Sequence, residues 1–336
     1  MPIIESISRF IQTVRIPFMV VSKIKQQKKF IQQNISPLLE EAQKFTDESI
    51  DKTDLDKITG YYGLAVPAIL GEAFCALRGK KMSDKERLAS TCQGAMTGLG
   101  DDFFDKQRLS EKALRDFIEN PEYFNGNTAS EKLFLQFYKA ALANATEPLL
   151  MQEQIYRVFQ AQLLSKQQSM PGLSYEVLKD ITLRKGGESL LYYRTAFENP
   201  MKKGEEKMLY CLGGLMQQSN DIFDVYKDHQ NGISTLITTA SKIKELRFLY
   251  SALLQIGIDA AYKSGYAVKN IEKFLGIVSI GIFSRCYVCL DQLENNERRS
   301  GNVFDPKFYQ RKELICDMDT AVNKLKSIRY HLKIMR

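Results

Sequence analysis

Apolar side chains recur every three to four residues along almost the whole chain, which is the spacing of amphipathic helices. No sustained segment alternates apolar and polar residues between hairpin turns, as a half-buried strand would. Ser83 with Glu86, and Thr128 with Glu131, have the spacing of capping boxes, in which each side chain binds a backbone N–H at a helix start. The sequence therefore predicts an all-α fold of ten or more helices.

Short breaks separate the predicted helices, and none of them is long enough to link independent domains. Gly, Pro and Asn mark these breaks, which fall at residues 125–127, 171–172, 186–187, 199–200, 231–232 and 300–301. We expect residues 1–55 to form N-terminal helices that pack on the remaining bundle. Residues 1–336 are therefore predicted to form a single domain.

Composition narrows the classes of function. The 47 Lys and Arg exceed the 40 Asp and Glu by a net charge of +7, which is too small and dispersed for a nucleic-acid binder but suits an anionic small molecule. The only histidines are His229 and His331, which excludes a His-rich zinc site.

The cysteines bear on the cellular compartment. There are six of them without the spacing of a disulfide framework, and we find no signal peptide, so we expect reduced thiols in a cytoplasmic protein. The longest apolar run, residues 274–284, is shorter than the roughly 20 residues of a membrane span, so we expect no integral membrane segment.

An aspartate-rich string follows a helix of small and apolar residues. Asp101 and Asp105 are four residues apart and share a helical face, and Asp102 lies beside them. Like charges at this spacing repel unless a cation lies between them. Mg²⁺ is the natural partner, because it prefers oxygen ligands and commonly joins carboxylates to substrate phosphates. An acidic helix end in solvent is the alternative interpretation of this string alone.

A second polar stretch continues a helix whose preceding turns are apolar. Asn220, Asp224 and Asp228 recur at i, i+4 and i+8, which places their oxygen atoms in one stripe along a helix. Asp221 and Lys227 lie within the same stretch. A solvated face would not normally continue a buried one, so the stripe is a candidate set of metal ligands.

Together the two stretches resemble the metal motifs of class I isoprenoid synthases. Asp101, Asp102 and Asp105 match the D-D-x-x-D motif of that family. Asn220, Asp221, Lys227 and Asp228 match the N-D-x-x-[S/T]-x-x-K-[E/D] motif of microbial terpene synthases, in which Asp224 replaces Ser or Thr. The resemblance implies a helical bundle with a central cavity that ionises a prenyl diphosphate, most naturally farnesyl or geranylgeranyl diphosphate, and it leaves a homodimer open as an expectation for this chain. It also implies three Mg²⁺ ions bound by the motif residues, which are Asp101, Asp102, Asp105, Asn220, Asp221, Asp224 and Asp228.

A leaving diphosphate also needs cations. Arg184 and Lys185 precede the predicted break at Gly186 and Gly187, where exposed backbone N–H groups would add to an anion site. Lys227 precedes a proposed metal ligand, and Arg194 is a lesser candidate. By resemblance, Arg329 and Tyr330 correspond to the Arg-Tyr pair that closes over the diphosphate in bacterial terpene synthases.

Two other functions remain open. Asp224 also fits the second aspartate motif of chain-elongating prenyl diphosphate synthases, and Gln217 with Leu212 and Gly213 fits the pattern of squalene and phytoene synthases. Either prenyltransferase reaction brings a second diphosphate, for which the family patterns place no further basic pair here. We therefore predict a terpene synthase that uses one allylic diphosphate, with a prenyltransferase as the alternative. A non-catalytic helical scaffold that retains the fold is the third hypothesis.

Overall fold

The computed structural model describes residues 3–42, 44, 47–106, 111–198 and 200–336, and within them all side chains except those of residues 3–14, 101–106, 111 and 114. The described chain is helical and contains no β-strand, so the predicted all-α class is confirmed for this part. The helices are α1 (Ile3–Asn34), α2 (Ser36–Ala42), α3 (Lys52–Asp56), α4 (Tyr62–Ala65), α5 (Glu72–Arg78), α6 (Asp84–Lys106), α7 (Glu111–Glu119), α8 (Ala129–Asn144), α9 (Pro148–Ser165), α10 (Tyr175–Arg194), α11 (Glu205–Phe223), α12 (Val225–Gln230), α13 (Ile243–Tyr262), α14 (Val268–Val278), α15 (Ser284–Arg299), α16 (Arg311–Leu314) and α17 (Ala321–Ile334).

The chain divides into two compact units. The N-terminal unit comprises Val14–Tyr156 and Tyr192–Pro200, and the C-terminal unit comprises Met1–Thr13, Arg157–Leu191 and Met201–Arg336. The expectation of a single domain stays a prediction.

In the N-terminal unit, α6 packs along α8. Their shared core consists of side chains that are almost fully buried, namely Cys92, Met96 and Leu99 on α6 and Leu133, Phe137 and Ala141 on α8. The buried guanidinium of Arg87 donates to Glu72 over 3.2 Å and to Gln27 over 3.0 Å. The backbone of Asp101, Asp102 and Asp105 continues the last turns of α6.

In the C-terminal unit, α11 packs against α13 and α15, and α15 packs against α17. The apolar face of α11 is fully buried at Leu209, Leu212 and Leu215. This burial explains why the end of α11, where the polar stretch begins, is held in a fixed place.

The predicted break at Gly186 and Gly187 is wrong. Helix α10 runs unbroken from Tyr175 to Arg194, because the two glycines allow α11 to approach closely rather than ending the helix. A Cβ on Gly186 would lie 2.1 Å from the carbonyl oxygen of Gly213, and a Cβ on Gly213 would lie 2.3 Å from the oxygen of Gly186. Only glycine on both helices permits this crossing, which sets the register of α10 over the end of α11.

Two helical stretches are long and apolar enough to cross a membrane by length and composition, Lys52–Arg78 and Val268–Arg299. The structure buries 61% of the apolar window in the first and 67% in the second. Core helices of soluble proteins pass the same test, so the expectation that the chain has no membrane segment stays a prediction.

Candidate metal and diphosphate site

The predicted stripe lies at the junction of α11 and α12. Asp224 separates the two helices, with φ −94° and ψ 8°, yet its N–H donates to the carbonyl of Asn220 over 2.9 Å. The N–H of Asp228 donates to the carbonyl of Asp224, also over 2.9 Å. The sequence predicts one continuous helix here, whereas the structure has two. The i to i+4 hydrogen bonds nevertheless continue through the junction, so the three residues of the predicted stripe keep their helical spacing. We call Asn220, Asp221, Asp224 and Asp228 the acidic cluster.

A glycine turn ends the cluster immediately after Asp228. Gly232 adopts φ +67°, the left-handed region that glycine reaches without strain. The N–H of Ile233 donates to the carbonyl of Asp228 over 2.8 Å, and the N–H of Gly232 donates to the carbonyl of His229 over 3.2 Å. This pair of bonds is a Schellman cap, which stops α12 one turn beyond the last carboxylate.

Asp221 is held by partners inside the protein. Its Oδ1 accepts from Gln217 Nε2 over 2.8 Å, and its Oδ2 accepts from the Thr182 hydroxyl over 3.3 Å. The residue is 6% exposed, and burial is the main reason that its pKa rises to about 6. Each oxygen thus accepts one hydrogen bond, which fixes the helix end and Gln217, and the assignment of Asp221 as a metal ligand stays a prediction.

Asp224 and Asp228 have fewer partners. Asn220 donates its amide Nδ2 to Asp224 Oδ2 over 3.3 Å, which leaves the amide oxygen of Asn220 able to accept or to ligate. Within the described part of the chain, no side-chain hydrogen bond or ion pair reaches the carboxylate of Asp228. Burial, then repulsion from Asp221 and Asp224, raises the pKa of Asp228 to about 7, and burial raises that of Asp224. Asp224 and Asp228 therefore make no ion pair with a described side chain, although nearby lysines offset part of their charge through space.

Two lysines provide the nearby positive charge. Lys185 acts on Asp221, Asp224 and Asp228, lowering the pKa of each against the effect of burial, and Lys227 does the same to Asp224 and Asp228. Lys185 reaches this place because the glycine crossing aligns α10 with the end of α11. Arg184 is directed elsewhere, since its exposed guanidinium lies 3.5 Å from Asp180 one turn earlier on α10.

Three further residues were candidates for binding the diphosphate, namely Tyr330, Arg329 and Arg194. The Tyr330 hydroxyl donates to Asp291 over 2.7 Å, and its ring stacks on Tyr287 with centroids 5.0 Å apart. Arg329 is an exposed residue of α17. Arg194 is 1% exposed in the N-terminal unit, where it donates to the carbonyl of Phe197 over 3.1 Å. The structure thus brings Lys185 and Lys227 to the cluster and places Tyr330 on Asp291, and the roles of Arg194 and Arg329 stay predictions.

The first predicted motif is only partly described. Asp101, Asp102 and Asp105 lie on α6 of the N-terminal unit, and their side chains are outside the described residues. Among the side chains that are described, no three His, Cys, Asp or Glu residues form a group that could hold a metal ion by themselves. The assignment of the first motif to a metal stays a prediction.

The donors of the acidic cluster fit Mg²⁺ chemically. Asn220, Asp224 and Asp228 offer amide and carboxylate oxygens, the hard ligands that Mg²⁺ takes. Their burial and mutual repulsion, visible in the raised pKa of Asp228, are what a bound cation would relieve. Mg²⁺ also retains part of its coordination shell for water or substrate phosphate, so a partial set of protein ligands is sufficient.

Thr182 was not predicted to belong to the site. The signal that could have found it is the start of α10, where the Ser174 hydroxyl accepts from the N–H of Val177 over 3.4 Å as an N-cap. On the helix that this cap begins, Thr182 and Lys185 are one turn apart. The break predicted at residues 186–187 is the reason that the sequence did not predict this helix.

No family model, curated protein or solved structure matches this chain.

Proposed function

We propose that this protein is a Mg²⁺-dependent enzyme that ionises an allylic prenyl diphosphate and releases diphosphate, giving a terpene hydrocarbon or alcohol. One observation carries the proposal: a partly buried row of oxygen ligands, Asn220, Asp224 and Asp228, ends an apolar helix, and its carboxylates make no ion pair with a described side chain. Purely structural carboxylates in such a place would be expected to pair directly with cations.

The proposal assigns Mg²⁺ ligands to two segments of the chain. Asn220, Asp224 and Asp228 would be one set, and Asp101 and Asp105, with Asp102 beside them, would be the other. Bound Mg²⁺ would supply positive charge that stabilises the departing diphosphate. Asp221 would hold the helix end in register through Gln217 and Thr182.

Two lysines would act on the substrate directly. Lys185 is partly buried and makes no ion pair among the described residues, so its ammonium is available to bind a diphosphate oxygen. Lys227 is exposed on α12 and would bind from the solvent side of the cluster. Both lysines would then attract the diphosphate as its negative charge grows on leaving, which stabilises that charge more than the ground state.

The proposal is tested by incubating the purified protein with geranyl, farnesyl or geranylgeranyl diphosphate and Mg²⁺ and identifying products by mass spectrometry. We expect Mg²⁺-dependent release of inorganic diphosphate together with a terpene product. Asp224→Asn and Asp228→Asn should each lower the rate about 100-fold or more, because each removes charge that holds the cation. Asp180→Asn is the matched control, since Asp180 is an exposed aspartate on α10 and should leave the rate unchanged.

A second substitution pair tests the first motif. Asp101→Asn should reduce the rate far more than Asp102→Asn, because Asp101 shares its helical face with Asp105 and Asp102 does not. Equal tolerance of both changes would contradict the assignment. Absence of diphosphate release from all three substrates would leave the non-catalytic scaffold as the better account.

One contact favours a prenyltransferase as the second candidate. Gln217 corresponds to the glutamine of the Q-x-x-D-D-x-x-D pattern of elongating enzymes, from which this chain departs at Asn220, and it donates to Asp221 in the acidic cluster. Adding isopentenyl diphosphate separates the two reactions. A terpene synthase gives the same product with or without it, whereas longer diphosphates made only in its presence, or squalene-like dimers from farnesyl diphosphate alone, would establish the alternative.

A further inference from the structure

Helix α17 buries two polar side chains. Ser327 is 5% exposed and shares a hydrogen bond of 2.8 Å with Ser284, and His331 is fully buried with its Nδ1 3.1 Å from the Ser279 hydroxyl. Tyr330 donates to Asp291 and stacks on Tyr287. The helix therefore makes hydrogen bonds to the C-terminal unit at positions where a surface helix normally buries aliphatic residues.

Its aliphatic residues point the other way. Val322 is 62% exposed, Leu325 is 67% exposed and Ile328 is 41% exposed. These residues are spaced at i, i+3 and i+6, so they form one row along the helix. A single exposed leucine needs no explanation, but a row opposite a buried polar face is the reverse of the usual arrangement and indicates a surface that is covered in use.

The charged residues within α17 itself are all cations. Residues 321–336 contain five cations and no Asp or Glu, and the cations are Lys324, Lys326, Arg329, Lys333 and Arg336. Lys326, Arg329 and Lys333 are exposed and fall beside the aliphatic row on the helical projection. We define the aliphatic row and these three cations as the outer face of α17.

We propose that the outer face of α17 docks on an anionic membrane surface. Aliphatic side chains bordered by cations, on a helix too short to span a bilayer, are the pattern of helices that lie in the interface between headgroups and acyl chains. The three cations of the outer face favour a membrane that contains anionic lipid. Each lysine or arginine near such a surface strengthens binding about fivefold at moderate salt. This inference does not depend on the proposed enzymatic function.

A single tryptophan can report the contact. The chain contains no tryptophan, so Leu325→Trp creates the only one, on the outer face. Its emission should shift to the blue with vesicles of phosphatidylcholine and phosphatidylglycerol, and it should not shift with phosphatidylcholine alone. Phe248→Trp is the control, since Phe248 is 77% exposed on α13 and outside the outer face, and its emission should stay unchanged.

Charge variants test the same face in the full chain without a label. Lys326→Glu with Lys333→Glu should weaken sedimentation with anionic vesicles at least about 25-fold, at fivefold for each cation lost. Lys203→Glu with Lys207→Glu makes the same change in net charge at exposed positions elsewhere and should have a much smaller effect. Binding that is equal in the two double variants, or a tryptophan at 325 that never shifts while the protein sediments with vesicles, would overturn the proposal. A dimer that Leu325→Ser dissociates, without vesicle binding, would also overturn it by identifying a second copy as the occupant.

Discussion

Two carboxylate clusters in the C-terminal unit are of similar size but opposite electrostatics. In the acidic cluster, Asp224 and Asp228 meet no Arg or Lys in an ion pair among the described residues. In the second, which we call the paired cluster, Arg247 lies 2.5 Å from Glu294 and 2.8 Å from Asp291, and Tyr330 donates to Asp291 over 2.7 Å.

The difference indicates what each cluster does. The paired cluster joins α13, α15 and α17, and both of its carboxylates form an ion pair with the one guanidinium of Arg247, so its role is to hold three helices together. The acidic cluster lies where α11 ends, and its carboxylates still repel one another in the folded state. Carboxylates without a direct ion pair in the fold point to a cation from outside, which is the physical basis of the proposed metal site.

The largest effect should come from breaking the paired cluster. Arg247→Met leaves two carboxylates partly buried without their cation, so we expect the free energy of unfolding to fall by about 3 kcal/mol. Urea denaturation followed by circular dichroism measures this loss. Lys244→Met, an exposed lysine on the same helix, is the control and should change stability by about 0.5 kcal/mol or less. A loss no greater than that of the control would mean that the guanidinium does not hold these helices.

Neutralising one aspartate in each cluster should change stability in opposite directions. The pKa of Asp228 is about 7 in the folded protein against 3.8 for an ordinary aspartate, so the folded state binds its proton more tightly. Ionising Asp228 therefore destabilises the fold as pH rises from about 4 to 7, and the cost persists above 7. The difference of about 3 units between the two pKa values sets an upper limit near 4 kcal/mol on the free energy that ionising Asp228 costs the folded state. Because Asp228 is partly exposed to solvent, we expect a cost of about 2 kcal/mol.

Asp228→Asn should accordingly stabilise the protein by about 2 kcal/mol at pH 8, and the gain should disappear near pH 4. Asp291→Asn should instead lower stability by about 1 kcal/mol at pH 8, because it weakens the pairing with Arg247. Thermal unfolding of both variants across this pH range measures the two signs. If both variants lose stability at pH 8, the acidic cluster is neutralised in solution and the contrast fails.

Much of the fold could be predicted from periodicity and capping residues. The caps at Ser83 and Thr128 are present, with hydrogen bonds to Glu86 and Glu131 as expected. Gly126, Gly172, Gly232 and Gly301 all adopt positive φ at predicted breaks. The break predicted at Gly186 is wrong because glycine can either end a helix or allow two helices to pack closely. Here Gly213 on the neighbouring helix shows that Gly186 serves close packing. The two glycines lie in separate segments of the chain, so a local sequence pattern cannot pair them.

The candidate site could be predicted along α11 but not across helices. The i, i+4, i+8 spacing of Asn220, Asp224 and Asp228 is a local property, and it is retained through the junction at Asp224. Which cation faces the cluster depends on the rotation of α10 about its axis, so the sequence could not separate Lys185 from Arg184. The position of Tyr330 depends on Asp291, which no motif singles out.

The last prediction concerns ligand binding, and it tests whether the two clusters differ in their need for an external cation. Mg²⁺ with inorganic diphosphate should stabilise the wild-type protein by about 1.4 kcal/mol at tenfold excess over the dissociation constant, a rise of a few degrees in Tm. Mg²⁺ alone should do less, because diphosphate oxygens complete its coordination. Asp291→Asn should retain the shift from its own lower baseline, since the paired cluster needs no external cation. Asp228→Asn should abolish the shift in Tm, because the substitution removes a carboxylate that would bind Mg²⁺. This loss is expected even though the variant is more stable than the wild type before ligand is added. An equal shift in both variants, or one in neither the variants nor the wild type, would show that the acidic cluster does not bind the metal.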